Sequence, residues 1–90
     1  MGVVHMIVHG TVQGVGFRSM TQQLAANHDI KGWVKNKADG TVEIEAEGSQ
    51  EDLNRFIDKI KQGPSPYASV ENIEMNTVNS SKDFDTFKVL

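Results

Sequence analysis

A change of period across one glycine-rich stretch most constrains what this chain can fold into. Residues 3–8 form an apolar, β-branched run interrupted only by His5, the signature of a strand. After Gly10-Thr11-Val12-Gln13-Gly14-Val15-Gly16 the period becomes helical: Phe17, Met20, Thr21, Leu24 and Ala25 share a face, with Gln22, Gln23, Ala26 and Asn27 outward. Residues 27–29 end that helix, and Gly32 leads into a second strand over residues 33–37. A strand, a helix and a strand joined by short connections form a βαβ unit, whose two strands run parallel through a right-handed crossover. Whatever follows the first strand and whatever ends the second therefore share one edge of the sheet.

The next turn can be placed by charge. A two-residue Asp39-Gly40 turn would set Val34 against Glu45 and Asn36 against Glu43, mixing apolar and charged faces. A three-residue loop, Ala38-Asp39-Gly40, with the glycine left-handed, shifts the pairing by one. Val34 and Asn36 then oppose Ile44 and Val42, while Trp33, Lys35 and Lys37 oppose Glu45, Glu43 and Thr41. The longer loop is preferred, because opposite charges pair on one face and apolar groups collect on the other.

Val42, Ile44 and Ala46 alternate with Glu43, Glu45 and Glu47, as in a strand with one solvated face. Ser49 with Asp52 resembles a capping box. Leu53, Phe56, Ile57 and Ile60 make the apolar stripe of a second helix, with Glu51 and Arg55 able to pair one turn apart. Gly63-Pro64-Ser65-Pro66 stops that helix. A less regular fourth strand follows over residues 70–78, then a short fifth over 85–90 with Phe87 and Val89 inward; Phe84 fits only as a bend. The order is β-α-β-β-α-β plus a final strand. The expected fold is a ferredoxin-like split βαβ sandwich, α+β, with two helices on one face of an antiparallel-rich sheet.

Ninety residues make one domain, residues 1–90, and 38% hydrophobic with 23% charged residues suits a soluble globular protein. A formal net charge of −3 argues against a nucleic-acid footprint, so any anion site must be local. The absence of cysteine excludes disulfides, thiolate metal sites and a cysteine phosphatase mechanism. No run approaches a membrane span and none reads as a signal peptide, so the expectation is a cytoplasmic monomer. His5, His9 and His28 lack ligand spacing, the glutamates of the third strand read as a solvated face rather than paired catalytic carboxylates, and neither metal nor cofactor is expected.

Chemistry is concentrated in the glycine-rich turn. Its amides, aimed from a strand end at a helix N-terminus, suit an anion, and Arg18 adds a fork that matches phosphate oxygens. A tight turn beside an unrelated arginine has the same sequence. Asn36 lies on the apolar face near the end of the second strand, about 10 Å from the turn at twice the strand spacing. It either caps the hairpin or holds a water facing the anion.

Gly10-x-Val12-Gln13-Gly14-Val15-x-Phe17-Arg18, then Gly32-Trp33-Val34-Lys35-Asn36, Asp39-Gly40-Thr41-Val42 and Gly63-Pro64-Ser65, resembles the acylphosphatase family over nearly the whole chain. The resemblance implies hydrolysis of a small-molecule acyl phosphate to carboxylate and inorganic phosphate. It implies that Arg18 binds the phosphate together with the backbone amides of Gln13, Gly14, Val15, Gly16, Phe17 and Arg18. It also implies that Asn36 positions the water, with no covalent intermediate. A non-catalytic ferredoxin-like module that binds an anion or a protein is the competing reading, since this fold hosts many functions.

Overall fold

Seven elements follow one another in the computed structural model, which describes residues 2–78 and 81–90: β1 (Gly2–Thr11), α1 (Phe17–Asn27), β2 (Lys31–Asn36), β3 (Val42–Gly48), α2 (Gln50–Gln62), β4 (Ser69–Val78) and β5 (Phe87–Val89). The strands form one sheet in the order β4-β1-β3-β2-β5. β1 and β2 are each antiparallel to β3, hence parallel to each other with one strand between, as the βαβ reading requires. β5 adds in parallel to the outer edge of β2.

The hairpin takes the three-residue loop. Trp33 pairs with Glu45, Val34 with Ile44, Lys35 with Glu43 and Asn36 with Val42. The Lys37 amide donates to the Thr41 carbonyl at 2.9 Å, and Gly40 is left-handed with φ of 90°. Charge pairing at this register is visible: Lys35 Nζ lies 3.5 Å from Glu43 Oε1 and 5.4 Å from the centre of the Trp33 ring.

One face of the sheet carries Met6, Val8, Val34, Val42, Ile44 and Ala46, all fully buried beneath the helices. α2 contributes Leu53, Phe56, Ile57 and Ile60, and Phe56 meets Phe87 edge to face at 6.1 Å between ring centres. A buried phenylalanine in such a place is worth about 3–5 kcal/mol against alanine. α1 contributes Phe17, Thr21 and Ala25.

Two expected core residues lie elsewhere. Met20 is 36% exposed, because the buried stripe of α1 follows the sheet-facing line Phe17–Thr21–Ala25 and leaves Met20 in an open groove near Pro64 and Lys59. Val89 is 39% exposed, because β5 is a three-residue edge strand of which only Phe87 lies under helix cover.

The opposite face carries paired charges beside Val3, Ile7 and Trp33. His5 Nε2 meets Glu43 Oε2 at 2.6 Å, and His9 Nε2 meets Glu74 Oε2 at 2.6 Å. Glu47, only 5% exposed, accepts from Ser81 Oγ at 2.5 Å and from the amides of Lys82 and Phe84, both at 3.1 Å. Glu47 thereby holds the segment that enters β5, in which Asp83 is left-handed with φ of 52° and the bend falls at Thr86 rather than at Phe84.

The Ser81 hydroxyl first, then the amides of Phe84 and Lys82, keep the Glu47 carboxyl below its ordinary range, against the opposing effect of burial. A carboxyl depressed in the folded state stabilises the fold above its unfolded pKa of about 4.3 and loses that contribution as pH falls through the folded value. Thermal melts across pH 3–7 are therefore expected to show a stability loss on the acid side that is shallower in Glu47→Gln, with the variant less stable at neutral pH.

Candidate active site

The two helices begin in opposite ways. α2 starts with Ser49 as its cap, Oγ accepting from the Asp52 amide at 3.1 Å, and with Glu51 and Asp52 in the first turn. α1 starts at Gly16 with no side-chain cap and no acidic residue in its first turn. Its first backbone bond runs from the Met20 amide to the Gly16 carbonyl, so among the described residues the amides of Phe17, Arg18 and Ser19 take no backbone partner. A helix start left this way carries partial positive charge and suits an anion.

Backbone shape keeps this end open. Gly14 and Gly16 have φ of 72° and 77°, left-handed conformations that L side chains rarely adopt. A Cβ at either would meet nothing within 4 Å, so the requirement there is conformational rather than steric. Upstream, the register of β1 against β4 slips between His9 and Gly10, and pairing then continues through Thr11 with Ser69, so the loop leaves the sheet beside β4.

Two long-range contacts hold the loop. Ser65 Oγ, buried in the connection between α2 and β4, donates to the Val15 carbonyl at 2.5 Å. The side chain of Gln13 turns to the β2–β3 hairpin, donating to the Lys37 carbonyl at 2.8 Å and the Thr41 carbonyl at 2.9 Å. Thr41 is fixed in turn by Asp39, whose Oδ1 accepts from its amide at 3.0 Å and its hydroxyl at 2.6 Å. Those bonds, the hydroxyl foremost, hold the Asp39 carboxyl below its ordinary pKa.

Gly14, Gly16, Phe17 and Arg18 line a cleft of about 400 Å³, together with Asn36 from β2 and Val89 from β5. Among the described residues Arg18 is the only charged one lining it. The guanidinium spends one N–H on the Leu90 carbonyl oxygen at 2.9 Å, which leaves donors of its planar fork for a ligand. A larger cleft, about 470 Å³, runs between α1 and β5 past Asp29 and Lys31, but it meets the middle and C-terminal end of α1 rather than its open start.

The structure brings Arg18 and Asn36 to one cleft with Gly14, Gly16 and Phe17. Gln13 and Val15 do not line it; their side chain and carbonyl serve the two anchoring contacts. Asn36 needs correction in one respect. It shares the apolar face, opposite buried Val42, but as the last residue of β2 it lies exposed at the cleft rather than in the core. Among the described residues it makes no side-chain bond to the hairpin, which Asp39 and Gln13 tie instead. Ser65 and the side-chain role of Gln13 were missed; the Gly63-Pro64-Ser65 segment was the only signal for the first.

A family model described as Acylphosphatase matches residues 4–89. The chain belongs to the acylphosphatase family. It is 46% identical over 90 residues to the acylphosphatase of Lactobacillus gasseri, covering 100% of this chain and 99% of that one. Against the acylphosphatase of Staphylococcus haemolyticus it is 48% identical over 84 residues, covering 93% of each. The crystal structure of acylphosphatase from Bacillus subtilis superposes with a TM-score of 0.96 at 40% identity, covering 100% of this chain and 99% of that chain. The ferredoxin-like architecture is thus that of the family.

Removal of the Ser65 hydroxyl leaves the Val15 carbonyl without its donor at the centre of the loop. Ser65→Ala is expected to cost about 1–2 kcal/mol of stability, read by thermal or denaturant unfolding, and to weaken inorganic phosphate binding severalfold in calorimetry.

Proposed function

We propose that the protein hydrolyses acyl phosphates, cleaving the carboxyl–phosphate anhydride to a carboxylate and inorganic phosphate. The observation that carries this reading is the convergence, in one cleft, of the unpaired first-turn amides of α1, the Arg18 fork and the Asn36 amide. The phosphoryl group sits on the loop amides, with Arg18 across its oxygens. Asn36 holds a water facing the phosphorus from the β2 side.

Attack of that water forms the new P–O bond as the bond to the acyl oxygen breaks, and the electron pair leaves on the carboxylate. The water's protons pass to phosphate oxygen and solvent. The transition state is loose, with charge on the equatorial oxygens, where the amides and Arg18 oppose it. A carboxylate leaves readily, so positioning and electrostatics supply most of the rate and no strong general base is needed. The chain contains no cysteine, in keeping with direct attack by water rather than a phosphocysteine intermediate.

Among the described residues no helix is long and apolar enough to cross a membrane. The proposal includes a cytoplasmic monomer acting on small molecules, without cofactor or nucleic acid. An open cleft whose charged contact is a single arginine favours tolerance of many acyl groups.

Benzoyl phosphate, followed in the ultraviolet, tests the reading and separates it from a non-catalytic anion-binding module. Arg18→Ala is expected to lose at least about 10³-fold in turnover and to bind phosphate more weakly, whereas Asn36→Ala loses about 10²–10³-fold mainly in kcat. Near-normal hydrolysis by Arg18→Ala would sink the assignment.

A further inference from the structure

We propose that Gln13 acts as a positioning residue that sets the distance between the phosphate-holding loop and Asn36. The inference rests on the hydrolytic reading above, and it assigns a task to a side chain that does not itself line the cleft. The two halves of the site are carried by β1 and β2, which are not neighbours; β3 lies between them. The last β1–β3 pair is Val8 with Val42, so beyond it no ladder ties the loop to the hairpin mouth. There the Gln13 amide spends both its hydrogens, one on the Lys37 carbonyl at 2.8 Å and one on the Thr41 carbonyl at 2.9 Å.

Lys37 directly follows Asn36, so the Gln13 bond holds the Lys37–Ala38 peptide, one residue beyond the Cα that carries the water-holding side chain. Thr41 is braced by Asp39 and receives the Lys37 amide as well, so Gln13 grips a hairpin mouth that is already rigid. The loop keeps its own shape by other means, through left-handed Gly14 and Gly16 and the Ser65 bond to Val15. Loss of the Gln13 amide therefore moves Asn36 relative to the phosphate more than it deforms the phosphate site. A displacement of about 1 Å between reacting groups can cost on the order of 10²-fold in rate.

The test uses Gln13→Met, of similar length without donors, assayed with benzoyl phosphate and with inorganic phosphate as competitor. The expected result is kcat lower by about ten- to a hundredfold, with KM and the phosphate inhibition constant within about twofold. The double variant Gln13→Met/Asn36→Ala is expected to turn over no more slowly than Asn36→Ala alone, because the glutamine acts through the asparagine. Gln13→Glu supplies a second readout, should Gln13→Met fail to fold. Its ionised carboxyl faces two carbonyls and cannot donate, so its kcat relative to the parent chain should rise as pH is lowered and the carboxyl becomes a donor.

Unchanged kcat in Gln13→Met, losses that multiply with those of Asn36→Ala, or a loss confined to phosphate affinity would each overturn the proposal. If the parent chain does not turn over benzoyl phosphate, the hydrolytic reading has failed; if Asn36→Ala keeps full kcat, the water-holding role of Asn36 falls and this proposal with it. If Asn36→Ala is slow and Gln13→Met is not, only the coupling role falls.

Discussion

The site depends on a helix start that the chain leaves unfinished. Every α-helix begins with amides that lack intrahelical partners, and proteins usually satisfy them with a capping side chain and acidic residues nearby. α2 is built that way, with Ser49, Glu51 and Asp52. α1 has none of these, and its first turn carries Arg18 where an acid would stabilise it. A positive side chain at the positive end of a helix is locally unfavourable. The arrangement becomes favourable once an anion sits between the amides and the guanidinium, so the same feature that weakens the free helix favours the bound state.

An open helix end is useful only if its shape persists without ligand, and α1 lacks the cap that would fix it. The structure supplies that rigidity from a distance. Val15 is held by Ser65 across 50 residues, Gln13 grips carbonyls 24 and 28 residues away, and Arg18 is steadied by the Leu90 carbonyl 72 residues away. None of these contacts competes for the outward-facing amides. Contacts to the loop's rear leave its front free, which is what an anion needs.

This division explains what was legible in the residues and what was not. The hairpin register could be read because a slip of one residue would have set Val34 and Asn36 against glutamates, a penalty visible in the strands themselves. α2 could be read for a similar reason: cap, stripe and Gly63 stop all lie within its own span. The convergence of Arg18 with Asn36 followed from parallel βαβ geometry. The bonds of Gln13 and Ser65 could not be read so, since a glutamine side chain carries no periodicity and its partners are carbonyls that every residue possesses. Met20 and Val89 failed for a related reason. Periodicity assigns a face, but how far a neighbouring helix extends over that face is decided by tertiary packing.

There remains the question of how a chain of net charge −3 presents an anion site. The sheet itself provides much of the answer. Glu43, Glu45 and Glu47 project from β3 onto the face away from the helices, while the cleft opens at the end of the helix-bearing layer. Each glutamate is also engaged: Glu43 by His5 and Lys35, Glu45 by Lys82, and Glu47 by Ser81 with two backbone amides. For Glu43 the bond from His5 outweighs burial and keeps its carboxyl below the ordinary pKa. Charges that are paired, or lie more than about 8–10 Å away through water at physiological salt, contribute little at the cleft. What an approaching phosphate meets is therefore the local field of Arg18 and the α1 amides, and the three β3 glutamates do not cancel it because they are paired on the other side of a packed sheet.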